Sequence, residues 1–190
     1  NNSTFSTLSS GNDSLITTFS SWKYLANGTN QGTAWRAVSF NDASWLSGNA
    51  ELGYGDGDEA TVVSYGSNSS VKYITTYFRK SFNVTNPSVY ASLRLSVVRD
   101  DGIVVYLNGT EVYRNNMPTG TIAYNTLAPS AIAVPDESAW YTSSISTSLL
   151  TTGTNVLAVE IHQQAVTSSD ISFKARLVGS GTAVLPLVTR

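Results

Sequence analysis

The chain contains no cysteine and a single histidine, His162. Thiolate zinc centres, cysteine nucleophiles and disulfide staples are thereby excluded, and a histidine-built metal site has too few ligands. Charge is scarce as well, at 13% of residues, with 11 basic against 13 acidic side chains and no run of Lys or Arg. Without clustered positive potential there is no electrostatic footprint for nucleic acid. No apolar run approaches the ~20 residues of a membrane-spanning helix, so membrane insertion is not expected. Ser, Thr, Asn and Gly take the place of charge, giving a surface of neutral hydrogen-bonding groups that suits a secreted protein. A chain of 190 residues fits one domain that buries roughly 70% of its unfolded surface, so folding requires no staple.

The chain opens Asn1-Asn2-Ser3, without Met or a basic-then-apolar leader, and reads as a mature or excised fragment. Residues 1–20 are expected to form an extension or first strand, 21–178 the domain, and 179–190 a linker opening on Gly179-Ser180-Gly181-Thr182. From about Tyr77 onward the apolar pattern has period two, and no stripe of period 3.6 persists for three turns. This predicts an all-β, antiparallel sandwich. Leu93, Leu95 and Val97 alternate with Arg94, Ser96 and Val98. After Asp101-Gly102, Ile103, Val105 and Leu107 alternate with Val104, Tyr106 and Asn108. One face is expected in the core and the other at least partly wet. Asn108-Gly109 is the strongest hairpin signal, since a type I′ turn needs positive φ at both residues. Leu157, Val159 and Ile161, then Ile171, Phe173, Ala175 and Leu177, predict two closing strands, with a helical turn between Ser143 and Leu150. The first 75 residues read as long loops pinned by Trp22, Trp35, Trp45 and Tyr54.

Several stretches invite chemistry. Asp100 and Asp101 are adjacent carboxylates, but neighbours on an extended strand point to opposite faces, which disfavours an acid/base pair aimed at one bond. One of them capping the turn before Gly102 is as good an account as ligand contact by Asp101. Asp56, Asp58 and Glu59 crowd a Gly-rich loop with the hard oxygen ligands that calcium takes; a solvated acidic loop is the alternative. Tyr54, just before it, either offers a ring to a sugar or packs beneath the loop. His162 shares a strand face with Glu160, and Ser169-Asp170 follows. No Gly-x-Ser-x-Gly elbow is present, so a polar network of His162, Asp170 and Asp101, holding a loop or gripping a hydroxyl, is preferred to a triad. Tyr106, Asn108 and, across the hairpin, Arg114 offer ring, amide and guanidinium to a polyol, or else pair across a solvated sheet. Trp35 and Trp45 read as loop-to-core anchors, whereas Trp140, after Pro135-Asp136-Glu137, is the exposed indole suited to stacking.

Six segments taken in order, WRAVSFNDASW (Trp35 to Trp45), LGYGDG (Leu52 to Gly57), YFRKSF (Tyr77 to Phe82), RDDGIVVYLNG (Arg99 to Gly109), GTNVLAVEIH (Gly153 to His162) and SSDISF (Ser168 to Phe173), resemble the galactose-binding-domain-like superfamily. The likeness is to the sugar-binding jelly roll beside catalytic domains of bacterial glycoside hydrolases. It implies a jelly-roll β-sandwich, often with a structural calcium, whose sugar site lies in loops at one end. The expectation is therefore a non-catalytic carbohydrate-binding module of a secreted bacterial protein, monomeric, covalently linked to neighbouring domains and directed at a polysaccharide or glycan. The alternative is a structural, adhesive or protein-docking spacer.

Overall fold

The computed structural model describes residues 11–181, so the calls on residues 1–10 and 182–190 lie outside the described residues. In chain order the strands are β1 (Asn12–Ile16), β2 (Ser21–Leu25), β3 (Leu46–Asn49), β4 (Leu52–Tyr54), β5 (Thr61–Val62) and β6 (Thr75–Val84), then β7 (Tyr90–Asp100), β8 (Gly102–Leu107), β9 (Thr110–Asn115), β10 (Tyr141–Ile145), β11 (Gly153–His162) and β12 (Ile171–Gly181). One sheet runs β10-β7-β12-β4-β5 and the other β3-β2-β6-β11-β8-β9. β1 also pairs with β12, beyond the stretch that β4 occupies, so the two share one edge of that strand. All pairings are antiparallel except β4 with β5. The protein is a two-sheet β-sandwich.

The period-two pattern carries the core. Leu93, Leu95 and Val97 of β7 and Phe173, Ala175 and Leu177 of β12 face Ile103, Val105 and Leu107 of β8 and Leu157, Val159 and Ile161 of β11 in one buried cluster. Trp22 and Phe78 join it against Phe173, with ring centroids 5.0 and 4.4 Å away. The Asp101-Gly102 turn is not a hairpin, because β7 lies in the first sheet and β8 in the second. Asn108 and Gly109 have φ of 51° and 88°, as the predicted turn requires, and a 3₁₀ turn at Thr147–Leu149 fills the expected helical position.

Three expectations change. The opening region is not only loop, since β1 to β5 run through it. Gly179 to Gly181 do not lead away from the sandwich; they extend β12, paired with β7 and β1. A Cβ on Gly179 would sit 2.5 Å from the Tyr90 ring, so this glycine serves close packing. The second face of β8 and β11 is not wet either. Val104, Tyr106, Val156 and Ala158 form a second buried cluster with Trp35, Trp45 and Tyr77. The loop between β2 and β3 places Trp35 over that face, its ring 4.9 Å from Tyr77 and 5.8 Å from Tyr106. Buried Arg79 ties this loop down by donating to Asp42 (2.8 Å) and to the Trp35 and Ala37 carbonyls.

Candidate metal centre and loop-end site

Beneath the Trp35 loop lies a buried polar network. Tyr106 donates to Glu160 at 2.7 Å, and the Arg36 guanidinium sits 3.4 Å from the same carboxylate while stacking 4.0 Å from the Tyr106 ring centre. His162 is fully buried, with Nε2 3.5 Å from Glu160 and Nδ1 2.7 Å from the Thr126 carbonyl and 3.0 Å from Thr75 Oγ1. Its partners are thus Glu160 and two threonines, not Asp170 or Asp101 as the sequence suggested. Next to the anion, and buried, the Tyr106 hydroxyl has its pKa pushed well above the usual tyrosine value. Asn108 is committed to Leu149, Asn155 and the Val156 amide. Arg114 pairs with Glu111 at 2.7 Å and donates to the Pro118 and Gly120 carbonyls, steadying the loop after β9. Tyr106, Asn108 and Arg114 thus each make contacts within the protein.

The opposite pattern occurs where β7 ends and β12 begins. Asp100 is 1% exposed, and among the described residues neither carboxylate oxygen has a hydrogen-bond donor. Its near neighbours are the side chains of Asp101 and Asp170, which approach it to hydrogen-bonding range. Adjacent carboxylates thus converge here, contrary to the alternation expected of a strand. Burial first, then the Asp101 and Asp170 charges, push the Asp100 pKa up to about 9. Asp101 is also buried, but it accepts from the Ile132 amide (2.8 Å) and the Gln164 amide (2.6 Å). It therefore fastens two distant loops; no bond to the turn at Gly102 accompanies these.

Asp170 leads to Asp56. Gly55, at φ 111°, passes so close that a Cβ there would lie 2.6 Å from the Asp170 Cβ. This brings the loop after β4 against the start of β12. One oxygen each from Asp56, Glu137 and Asp170 then lie within 4.8 Å of one another. Ser172 donates to Asp56 at 2.7 Å, yet burial and the charges of Asp170, Glu59 and Asp58 still raise the Asp56 pKa. Burial and the charges of Asp170 and Asp56 raise that of Glu137. Glu59, by contrast, is occupied: its oxygens accept from the Asp56 and Gly57 amides at 2.9 and 3.0 Å. Asp58 is exposed and groups with Asp56 and Glu51, but Glu51 already pairs with Lys174.

Two cavities lie among the loops. One of about 270 Å³ is lined by Glu51, Asp56, Asp58, Pro135, Glu137 and Ser172. The other, about 310 Å³, is lined by Val71, Tyr73, Thr75, Tyr124 and Asn125, with Lys72 at its edge. Lys72 is not free, since its ammonium donates to the Ser168 and Ser169 carbonyls. Tyr54 is buried, its hydroxyl bonded to Gln163 and its ring 5.1 Å from Tyr65; it packs under the loop. Trp140 is 38% exposed, with the Arg176 guanidinium 4.8 Å over its ring. Asp100 and Glu137 are the residues that sequence reading did not select, because their significance depends on Asp170 and Asp56, both remote in the chain.

Comparison with solved structures places this arrangement in a known architectural context. Bacteroides uniformis β-glucuronidase 2 superposes with a TM-score of 0.57 and 16% identity over 89% of this chain and 18% of that one. The fold resembles that of one part of this enzyme. A member of glycosyl hydrolase family 2 from Bacteroides cellulosilyticus gives a TM-score of 0.56 and 13% identity, covering 90% of this chain and 21% of its own. A calcium-binding mutant of the Bacteroides uniformis enzyme aligns at 0.53 and 14% identity, again over 89% and 18%. The chain thus spans about a fifth of these enzymes' length. No family model matches the chain, and no curated protein matches it.

Proposed function

We propose that this protein is a galactose-binding-like jelly-roll module, non-catalytic, that holds a secreted multidomain protein on a polysaccharide or glycan. The observation that carries the reading is a pair of cavities of about 270 and 310 Å³ among the loops. One is rich in oxygen acceptors and the other offers tyrosine rings, and Trp140 is an exposed indole on the same surface-loop segment as Glu137. Pyranose rings present apolar C–H faces to aromatics and hydroxyls to acceptors, so this pairing of surfaces suits them. Likeness to parts of glycoside hydrolases supports an accessory role, as does the size of the match. Covalent attachment to a larger, extracellular bacterial protein belongs to the same reading, as does action as a monomer.

Within this reading Trp140, Asp170 and Tyr124 face the ligand, while Tyr54, Asp101, Tyr106, Asn108, Arg114 and His162 hold the scaffold. Calcium belongs to it too, supported by the acidic loop and by the calcium-binding mutant among the similar structures. The test is binding of the full chain to a panel of soluble glycans and insoluble polysaccharides, with Trp140→Ala and Tyr124→Ala alongside. Selective binding weakened at least about tenfold by either change, some 1.4 kcal/mol, is expected. Retention on no member of the panel would overturn the reading in favour of a spacer.

A further inference from the structure

The structure assigns divalent-cation binding to particular residues: we propose that Asp56, Glu137 and Asp170, with buried Asp100 beside Asp170, hold one hard divalent cation of the calcium type. The inference deepens the calcium part of the proposed function and does not depend on sugar binding.

The first ground is convergence. Asp56 comes from the loop after β4, Glu137 from the 3₁₀ turn Asp136–Ser138 before β10, and Asp170 from the residue preceding β12. Their carboxylate oxygens lie within 4.8 Å of one another, although the segments are far apart in sequence. Three carboxylates in that space repel unless a cation or protons intervene. Among the described residues, none of the three forms an ion pair with Lys, Arg or His. The second ground is independent. Asp100 is 1% exposed and, among the described residues, has both oxygens without a donor, and it contacts Asp170. A buried acceptor with no donor is costly, and a metal ion is one of the few partners that satisfies two such oxygens at once.

The donor set fixes the cation class. Carboxylates, with the Ser172 hydroxyl on Asp56, are hard oxygen donors, and flexible Gly-flanked loops suit the large, irregular shell of calcium better than the strict octahedron of magnesium. The assignment moves the site away from Asp58, which groups with a Glu51 already paired to Lys174, and from Glu59, whose oxygens accept backbone amides. Bound there, the ion is a clasp between three loops and the end of β7.

The experiment is calorimetric titration of the chelator-treated 190-residue chain with calcium chloride, then magnesium chloride, repeated on Glu137→Gln, Asp170→Asn, Asp100→Asn and Asp58→Asn. One calcium per chain is expected, bound at least tenfold tighter than magnesium. Glu137→Gln, on the partly exposed 3₁₀ turn, and Asp170→Asn should each weaken calcium tenfold or more, while Asp58→Asn should stay within twofold. Thermal melting is the second readout: calcium should raise the Tm of the parent and fail to raise that of Asp100→Asn. Absence of calcium binding and of any Tm rise would overturn the assignment, leaving a carboxyl cluster that shares protons. Loss of binding in Asp58→Asn but not in Glu137→Gln would overturn it in favour of the outer loop.

Discussion

Two buried acids in this sandwich have opposite surroundings. Glu160, 2% exposed, receives the Tyr106 hydroxyl and the Arg36 guanidinium, with His162 Nε2 3.5 Å away. Asp100, 1% exposed, meets Asp101 and Asp170. A buried anion whose donors all come from the protein is complete, and its role is to hold a loop to a sheet. A buried carboxyl ringed by further acids is incomplete, and what completes it, a proton or a cation, must come from outside the polypeptide. Burial alone does not separate the two cases. The count of donors does.

The comparison can be broken first at the complete cluster. Trp35→Ala removes the ring that roofs it, and a destabilisation of about 3–5 kcal/mol is expected in denaturant unfolding. Tyr106→Phe deletes one donor and leaves the Glu160 carboxylate under-satisfied, for an expected loss of about 1–3 kcal/mol with unchanged fold by circular dichroism. At the incomplete cluster the sign reverses. Asp100→Asn should stabilise the chelated protein at neutral pH, since an amide is buried neutral without taking up a proton on folding; a drop in Tm in chelator would mean that the carboxyl is already satisfied.

The effect of pH sharpens the contrast further. An acid whose pKa rises from 3.8 when unfolded to about 9 when folded holds more protons in the native state throughout that interval. Stability of the chelated protein therefore falls as pH rises, with the Asp100 contribution present below about pH 4 and lost on approach to pH 9. Melting curves across this range should show that decline, and Asp100→Asn should flatten it. The smallest expected effect is Asp58→Asn, within about 0.5 kcal/mol because the side chain is exposed.

Much of the sandwich was legible because its signals are local. Alternation from Leu93 to Val97 and from Leu157 to Ile161 reports which side chains face inward, and Asn108-Gly109 reports its own turn. Trp35 and Trp45 were readable as anchors because indoles amid Gly, Asn and Ser have no other use for so much apolar surface. What the sequence hid was non-local. That β7 and β8 belong to different sheets depends on partners in β11 and β12, and the dryness of Tyr106 and His162 depends on loops that period-two reading ignores. The acidic site was half visible for the same reason. Asp56 and Asp170 were noticed singly, but Asp100 and Glu137 acquire meaning only when four segments meet.

The pairing of β1 with the end of β12 has a mechanical consequence. Asn12 lies opposite Ser180 in the ladder, so the polypeptide enters and leaves the sandwich at neighbouring points, at the pole away from Asp100. A load applied through these two points pulls antiparallel neighbours apart from their shared end. Their hydrogen bonds then open one after another, as in a zipper, instead of resisting together in shear. Under tension such a module yields first at β1, while the loops at the far pole, and whatever they grip, feel the strain last.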